Sequence, residues 1–161
     1  MKKGPSFPNE KYHGLRIDTM KNKTRRIRQV EIIPAKPIEV YQALMDPEKH
    51  AQFTNDVAEG SSEVGGIFTA YGGYITAKNI ELVPGKTIVQ EWITSEWPAG
   101  YPPSILKIDM KEIEGGTQLT MKHSLVPDSQ ADDYAKGWQE RYWQKLKKHF
   151  QDVKKTKSEH P

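Results

Sequence analysis

Apolar residues recur along this chain with two different periods, and each change of period marks an element. From Gly137 to Phe150 the sequence GWQERYWQKLKKHF has helical spacing. At about 100° per residue, Tyr134, Ala135, Trp138, Tyr142, Trp143, Leu146, Phe150 and Val153 fall within half the circumference. Glu140, Arg141, Lys147, Lys148 and Lys155 take the other half. An apolar face that wide exceeds a coiled-coil seam and suits a helix laid across a broad apolar surface. Aromatic rings at this spacing either fill a core or roof a ligand cavity, and both readings stay open.

Upstream the period is two. Thr24 to Ile33 is β-branched and alternating, with Arg28, Val30 and Ile32 on one face. Pro37 opens a helix that runs to Met45, and Asp46-Pro47 breaks it before a second short helix, Pro47 to Phe53. Ile67 to Tyr71 and Tyr74 to Leu82 flank Gly72-Gly73, a pair that predicts a tight hairpin. Pro84-Gly85 turns the chain into Thr87 to Ile93. After the loop 97–103, Leu106, Ile108 and Met110 alternate with lysines and Asp109 in Ser104 to Ile113. Gly115-Gly116 turns it back, and Leu119, Met121 and His123 alternate with Gln118, Thr120 and Lys122. Such alternation predicts antiparallel strands with one buried and one wet face. One long helix set on one face of an antiparallel sheet is an α+β architecture. A curved sheet wrapped round that helix leaves a gap that a ligand can use.

Ser129 with Asp132 reads as a capping-box-like start for the last helix. Gly137 inside it costs roughly 1 kcal/mol relative to alanine and points to a close backbone approach or a bend. Residues 1–23 contain Gly4, Pro5, Pro8 and Gly14 with no sustained period, and are expected to form a flexible basic arm. The domain is then 24–155, with a tail at 156–161.

Charge is unevenly placed. Residues 1–29 carry nine Lys/Arg against two Asp/Glu and 144–161 six against two, whereas 30–143 carry nine against seventeen. The overall +3 therefore belongs to the two ends, and the body would repel phosphate, which argues against nucleic acid. The absence of cysteine removes disulfides, thiolate metal sites and a thiol nucleophile, and fits a reducing compartment. No apolar run is long enough to span a membrane. The N-terminus has no apolar segment of the secretory kind. A cytoplasmic location is expected.

Several segments in register carry a family resemblance: IEVYQALMD, Phe53, GGIFTAYGGYI, ELVPGKTIVQEW, EWPAGY and VP followed by GWQERYWQKLKKHF. Together, from about Arg26 to Phe150, they resemble the C-terminal domain of activators of the heat-shock protein 90 ATPase. These form the AHSA-type branch of the START-like helix-grip superfamily. The resemblance implies a helix-grip fold, a chaperone as possible partner and a link to the stress response. In the eukaryotic activators a separate N-terminal domain does much of the stimulation. The short stretch ahead of Arg26 therefore implies weak activation.

Candidate ligand-binding residues are Phe68, Trp92, Trp97, Leu106, Ile108, Met110, Met121, His123, Trp138 and Tyr142. His123 points to the buried face, either as a satisfied core histidine or to orient a ligand's polar group. Trp97, beside Pro98, reads as a cavity mouth or a loop staple. The other histidines lack metal-ligand spacing, so no metal and no cofactor is expected. Neither a nucleophile elbow nor a phosphate-binding loop is present, so no catalytic residues are assigned. The chain is expected to be a non-enzymatic module that binds a small hydrophobic or amphipathic molecule between sheet and helix. A co-chaperone-like interaction domain is the alternative, and a cyclase- or hydrolase-like enzyme using His123 a third. A void of ~300–1,000 Å³ would favour the first. A filled core with exposed apolar residues would favour the second.

Overall fold

The computed structural model describes residues 22–159. Of the expected arm only Asn22 and Lys23 are among them, so that reading lies outside the described residues. The order is β1 (Thr24–Ile33), α1 (Pro37–Met45), α2 (Pro47–Thr54), β2 (Glu59–Gly60), β3 (Ile67–Ala70), β4 (Ile75–Val83), β5 (Thr87–Thr94), β6 (Ser104–Ile113) and β7 (Gly116–Pro127). A long helix follows as α3 (Asp128–Gly137), a π-helical segment (Trp138–Trp143) and α4 (Gln144–Glu159). The helix runs on past the expected domain boundary at 155.

The strands form one antiparallel sheet in the order β1-β7-β6-β5-β4-β3-β2. Every pairing except β1 with β7 joins sequence neighbours, so short turns build most of the sheet. Proline at the first position starts both short helices. Asp46 caps α2 by accepting from the Lys49 N–H at 3.1 Å. α1 packs on β6 and β7, and α2 on β3 and α4, so the two short helices close one end of the layer between sheet and long helix.

The alternation expected for β6 and β7 is present. Leu106, Ile108 and Met110, and Leu119, Met121 and His123, are all buried beneath the helix. β1 departs from that pattern. Val30 and Ile32 face outward at 41 % and 51 % exposure, and the polar Gln29 and Glu31 face the helix. The Gln29 amide donates to the Ala135 carbonyl at 2.9 Å and accepts from Trp143 Nε1 at 2.8 Å. Glu31 accepts from Lys147 at 2.6 Å and from Gln139 at 3.1 Å. Burial would raise the Glu31 carboxyl, but these two donors overcome it and hold it below the usual carboxylate range.

Two local expectations are corrected. The hairpin at Gly72-Gly73 is not a two-residue turn. Ala70 pairs with Ile75, and residues 71–74 form the connection. Tyr71, Gly72 and Gly73 have φ of 52°, 65° and 93°, a run that glycines make accessible and that puts Tyr71 itself in a left-handed conformation. The capping box at Ser129 is absent, because the helix begins at Asp128 with no side-chain cap. Asp132 and Asp128 instead pair with Arg25 on β1 at 2.6 and 3.0 Å. Glu59–Gly60 pairs with β3 as a short, exposed edge strand. The loop that follows is held by buried Asn79, whose amide donates to the Ser61 and Glu63 carbonyls at 2.9 and 3.0 Å.

Candidate functional site

Nine of the ten candidate residues are buried between sheet and helix, and Trp97 is half-buried. The structure brings them together as an aromatic-rich core. Trp138 stacks on Trp143 with ring centres 5.3 Å apart and packs against Tyr142 at 4.8 Å and Trp92 at 5.8 Å. The void left among them is ≈ 30 Å³, touched by Phe68, Trp92, Leu106, Ile108, Trp138 and Tyr142. Met110, Met121 and His123 lie in the packed layer outside that void. The space is about one water and far below the ~300 Å³ of the smallest usual ligand site. The enclosed gap is thus filled, because Phe68 and Trp92 from the sheet and Trp138 and Tyr142 from the helix project into it. Trp97 stacks on Tyr134, and its Nε1 donates to the Pro102 carbonyl at 3.1 Å, which makes it a staple of its own loop.

A packed interior has a direct consequence. Leu106→Trp or Met121→Trp is expected to destabilise the domain by about 1–3 kcal/mol or more, since neither site has room for the added volume. Chemical denaturation would measure this. A variant as stable as wild type would show that the core opens.

His123 is fully buried, and its tautomer follows from its neighbours. Trp138 Nε1 can only donate, and it reaches Nδ1 at 3.1 Å. Nδ1 therefore carries no proton, and Nε2–H donates to Ser104 Oγ at 2.8 Å. The Ser104 hydroxyl in turn donates to the Trp92 carbonyl at 2.6 Å. A second proton would face the indole N–H, and burial already lowers the imidazole to about 3. The ring is thus a saturated element of the core, neutral near pH 7, with no acid or base among the described residues hydrogen-bonded to it.

His50 was not foreseen as partnered, yet it is buried too. Its Nδ1–H donates to the Leu44 carbonyl at 3.0 Å, and Nε2 accepts from the Tyr142 hydroxyl at 2.9 Å. Burial lowers it to about 4 against the opposing pull of that carbonyl, and raises the Tyr142 phenol well above its ordinary value. Only the spacing of His50 three residues before Phe53, within one helical turn, hinted at it. Among the described residues no three His, Asp or Glu side chains group to hold a metal.

Ligand-sized space lies on the flank instead. A cleft of ≈ 330 Å³ runs between the long helix and the 71–74 turn. Its floor is Ile75, Trp92, Trp138 and Tyr142, and its sheet side carries Tyr71, Tyr74 and Glu96. Its helix side is Asp133, Lys136, Gly137, Glu140 and Arg141, one polar face at helical spacing. Gly137 has ordinary helical angles, φ −60° and ψ −41°. A Cβ there would meet nothing within 4 Å, so the expected close approach is absent and the glycine opens onto space.

A curved antiparallel sheet gripping one long C-terminal helix defines the helix-grip class. Residues 34–151 match the model of the family described as "Activator of Hsp90 ATPase homolog 1-like protein", and the chain belongs to that family. It is 29% identical over 149 residues to mouse activator of 90 kDa heat shock protein ATPase homolog 1, covering 92% of this chain and 42% of that protein. The chain thus spans less than half the length of that relative. An Hsp90 activator from Plasmodium falciparum superposes with a TM-score of 0.68 at 20% identity, covering 73% of this chain and 89% of that one. An AHSA1-like protein from Rhizobium etli does so with a TM-score of 0.61 at 26% identity, covering 78% and 81%. No helix among the described residues is long and apolar enough to cross a membrane.

Proposed function

We propose that this chain is a protein-interaction domain of the co-chaperone type whose partner is a chaperone of the heat-shock protein 90 class. The observation that carries this reading is the closed interior. The void enclosed between sheet and helix is ≈ 30 Å³, the ≈ 330 Å³ cleft opens only at the helix flank, and no buried side-chain polar atom among the described residues lacks a hydrogen bond. Recognition then falls to the surface. Family membership favours a chaperone partner, and the exposed Val30 and Ile32, two apart on the outer face of edge strand β1, provide apolar area for it.

The purified chain is expected to bind a cognate heat-shock protein 90 with micromolar affinity, about 8 kcal/mol. It should change the chaperone's ATPase rate by less than about twofold, roughly 0.4 kcal/mol in barrier, because it matches less than half of the activators it resembles. Val30→Glu with Ile32→Glu should weaken binding at least about tenfold. Calorimetry and a coupled ATPase assay measure both quantities. Absence of binding at 100-fold above the micromolar range would remove the proposal.

A further inference from the structure

The flank cleft has a feature that packing alone does not account for. Gly137 sits in the interior of a long helix with ordinary helical φ and ψ, where alanine would be better by roughly 1 kcal/mol. No neighbouring atom lies within 4 Å of where its Cβ would be, so nothing in the fold requires a glycine. What the missing side chain does is keep the cleft open above Trp138 and Trp92.

The cleft is also polarised along its length. Asp133 and Arg141 are eight residues apart, or roughly 12 Å along the helix. At the Arg141 end, Tyr71 already carries positive charge on its ring: the Arg141 guanidinium lies 6.0 Å and Lys145 Nζ 5.8 Å from its centroid. The Tyr71 hydroxyl is tied to the Arg141 carbonyl. On the outer rim Lys136 and Glu140 face each other at 3.8 Å and largely cancel. At the opposite end two carboxylates remain. Glu96 is oriented by the Tyr74 hydroxyl, which donates to it at 2.6 Å. Asp133 has no partner among the described residues. Aromatic surface with carboxylates at one end and cations already seated at the other matches a ligand with an apolar body and one positive charge.

We propose that this cleft binds an amphipathic organic cation of the aryl- or alkylammonium class. Its apolar body lies against Tyr74 over the exposed edges of Ile75, Trp92 and Trp138, and its charged end lies between Glu96 and Asp133. The site is independent of the chaperone partner, and its test uses no chaperone, so either reading can fail alone.

The test is an NMR titration of the full chain with three probes of one size: phenethyltrimethylammonium, 2-phenylethanol and 3-phenylpropionate. The ammonium is expected to bind with a Kd of about 1 mM or tighter, shifting the Trp138 indole N–H, and the alcohol and the carboxylate at least about tenfold more weakly. Gly137→Leu fills the cleft at helical angles that any L-residue accepts. It should keep or raise Tm and lower ammonium affinity at least about tenfold. Glu96→Gln with Asp133→Asn changes exposed groups only. It should abolish the preference for ammonium over alcohol while leaving the alcohol's binding unchanged. Equal binding of ammonium and carboxylate, a folded Gly137→Leu variant that binds like wild type, or no shift of the indole at about 10 mM probe would each overturn the proposal.

Discussion

Replacing Trp138 by alanine should cost about 3–5 kcal/mol, the range for a large buried aromatic, and so unfold a domain of ordinary stability. The ring is 4 % exposed and sits at the centre of the aromatic cluster, in contact with Trp92, Tyr142, Trp143 and His123. Its removal leaves a cavity bordered by the other rings, which strand and helix backbones hold apart. It also removes the donor to His123 Nδ1, leaving a buried acceptor without a partner. Trp138→Phe separates the two effects. It keeps much of the apolar volume and loses the hydrogen bond, with an expected cost of about 1–3 kcal/mol. Urea melts of the two variants decide the matter. A loss under about 1 kcal/mol for the alanine variant would place the ring outside the core.

Acid should destabilise the fold steeply, and two histidines account for it. His50 and His123 are held at about 4 and about 3 in the folded state, below the ordinary 6.5. As pH falls through 6.5, the unfolded chain takes up both protons first. Stability is therefore fully present above about pH 7 and is lost progressively down to the folded values. Each histidine contributes a slope of about 1.4 kcal/mol per pH unit. By pH 4 the combined loss is on the order of 5 kcal/mol, comparable to the whole stability of many domains. Denaturant melts between pH 6 and 5, above most carboxylate titration, should show a slope approaching two protons. A flat profile there would mean that neither ring is buried neutral. Long-range proton–nitrogen NMR adds an independent check, because the hydrogen-bond partners require the Nδ1–H tautomer at His50 and the Nε2–H tautomer at His123.

The elements of this protein were legible in its sequence because each rests on short-range rules. β1 from Thr24 to Ile33, α1 from Pro37 to Met45 and β6 from Ser104 to Ile113 begin and end where periodicity and proline placed them. The in-facing sets on β6 and β7 followed from alternation. The wide aromatic face of the last helix followed from its 100° spacing. What pattern could not supply is which partner each face meets. Val30 and Ile32 look like core residues, yet β1 turns Gln29 and Glu31 inward, since Trp143, Gln139 and Lys147 on the helix need polar partners there. Asp132 reads as part of a cap, but Arg25, more than a hundred residues earlier in the chain, engages it. His50 reaches the nearby Leu44 carbonyl through Nδ1, but its Nε2 finds Tyr142 only when α2 and the long helix meet. The candidate site differs in the same way. Its residues cluster as their periodicity indicated, but whether space remains among them depends on rotamers and interlayer distance, which no periodicity encodes. A few ångströms of approach between sheet and helix separate a ligand cavity from a packed core. Here the rings close the interior to ≈ 30 Å³, and a cleft of ligand size opens beside Gly137 on the flank.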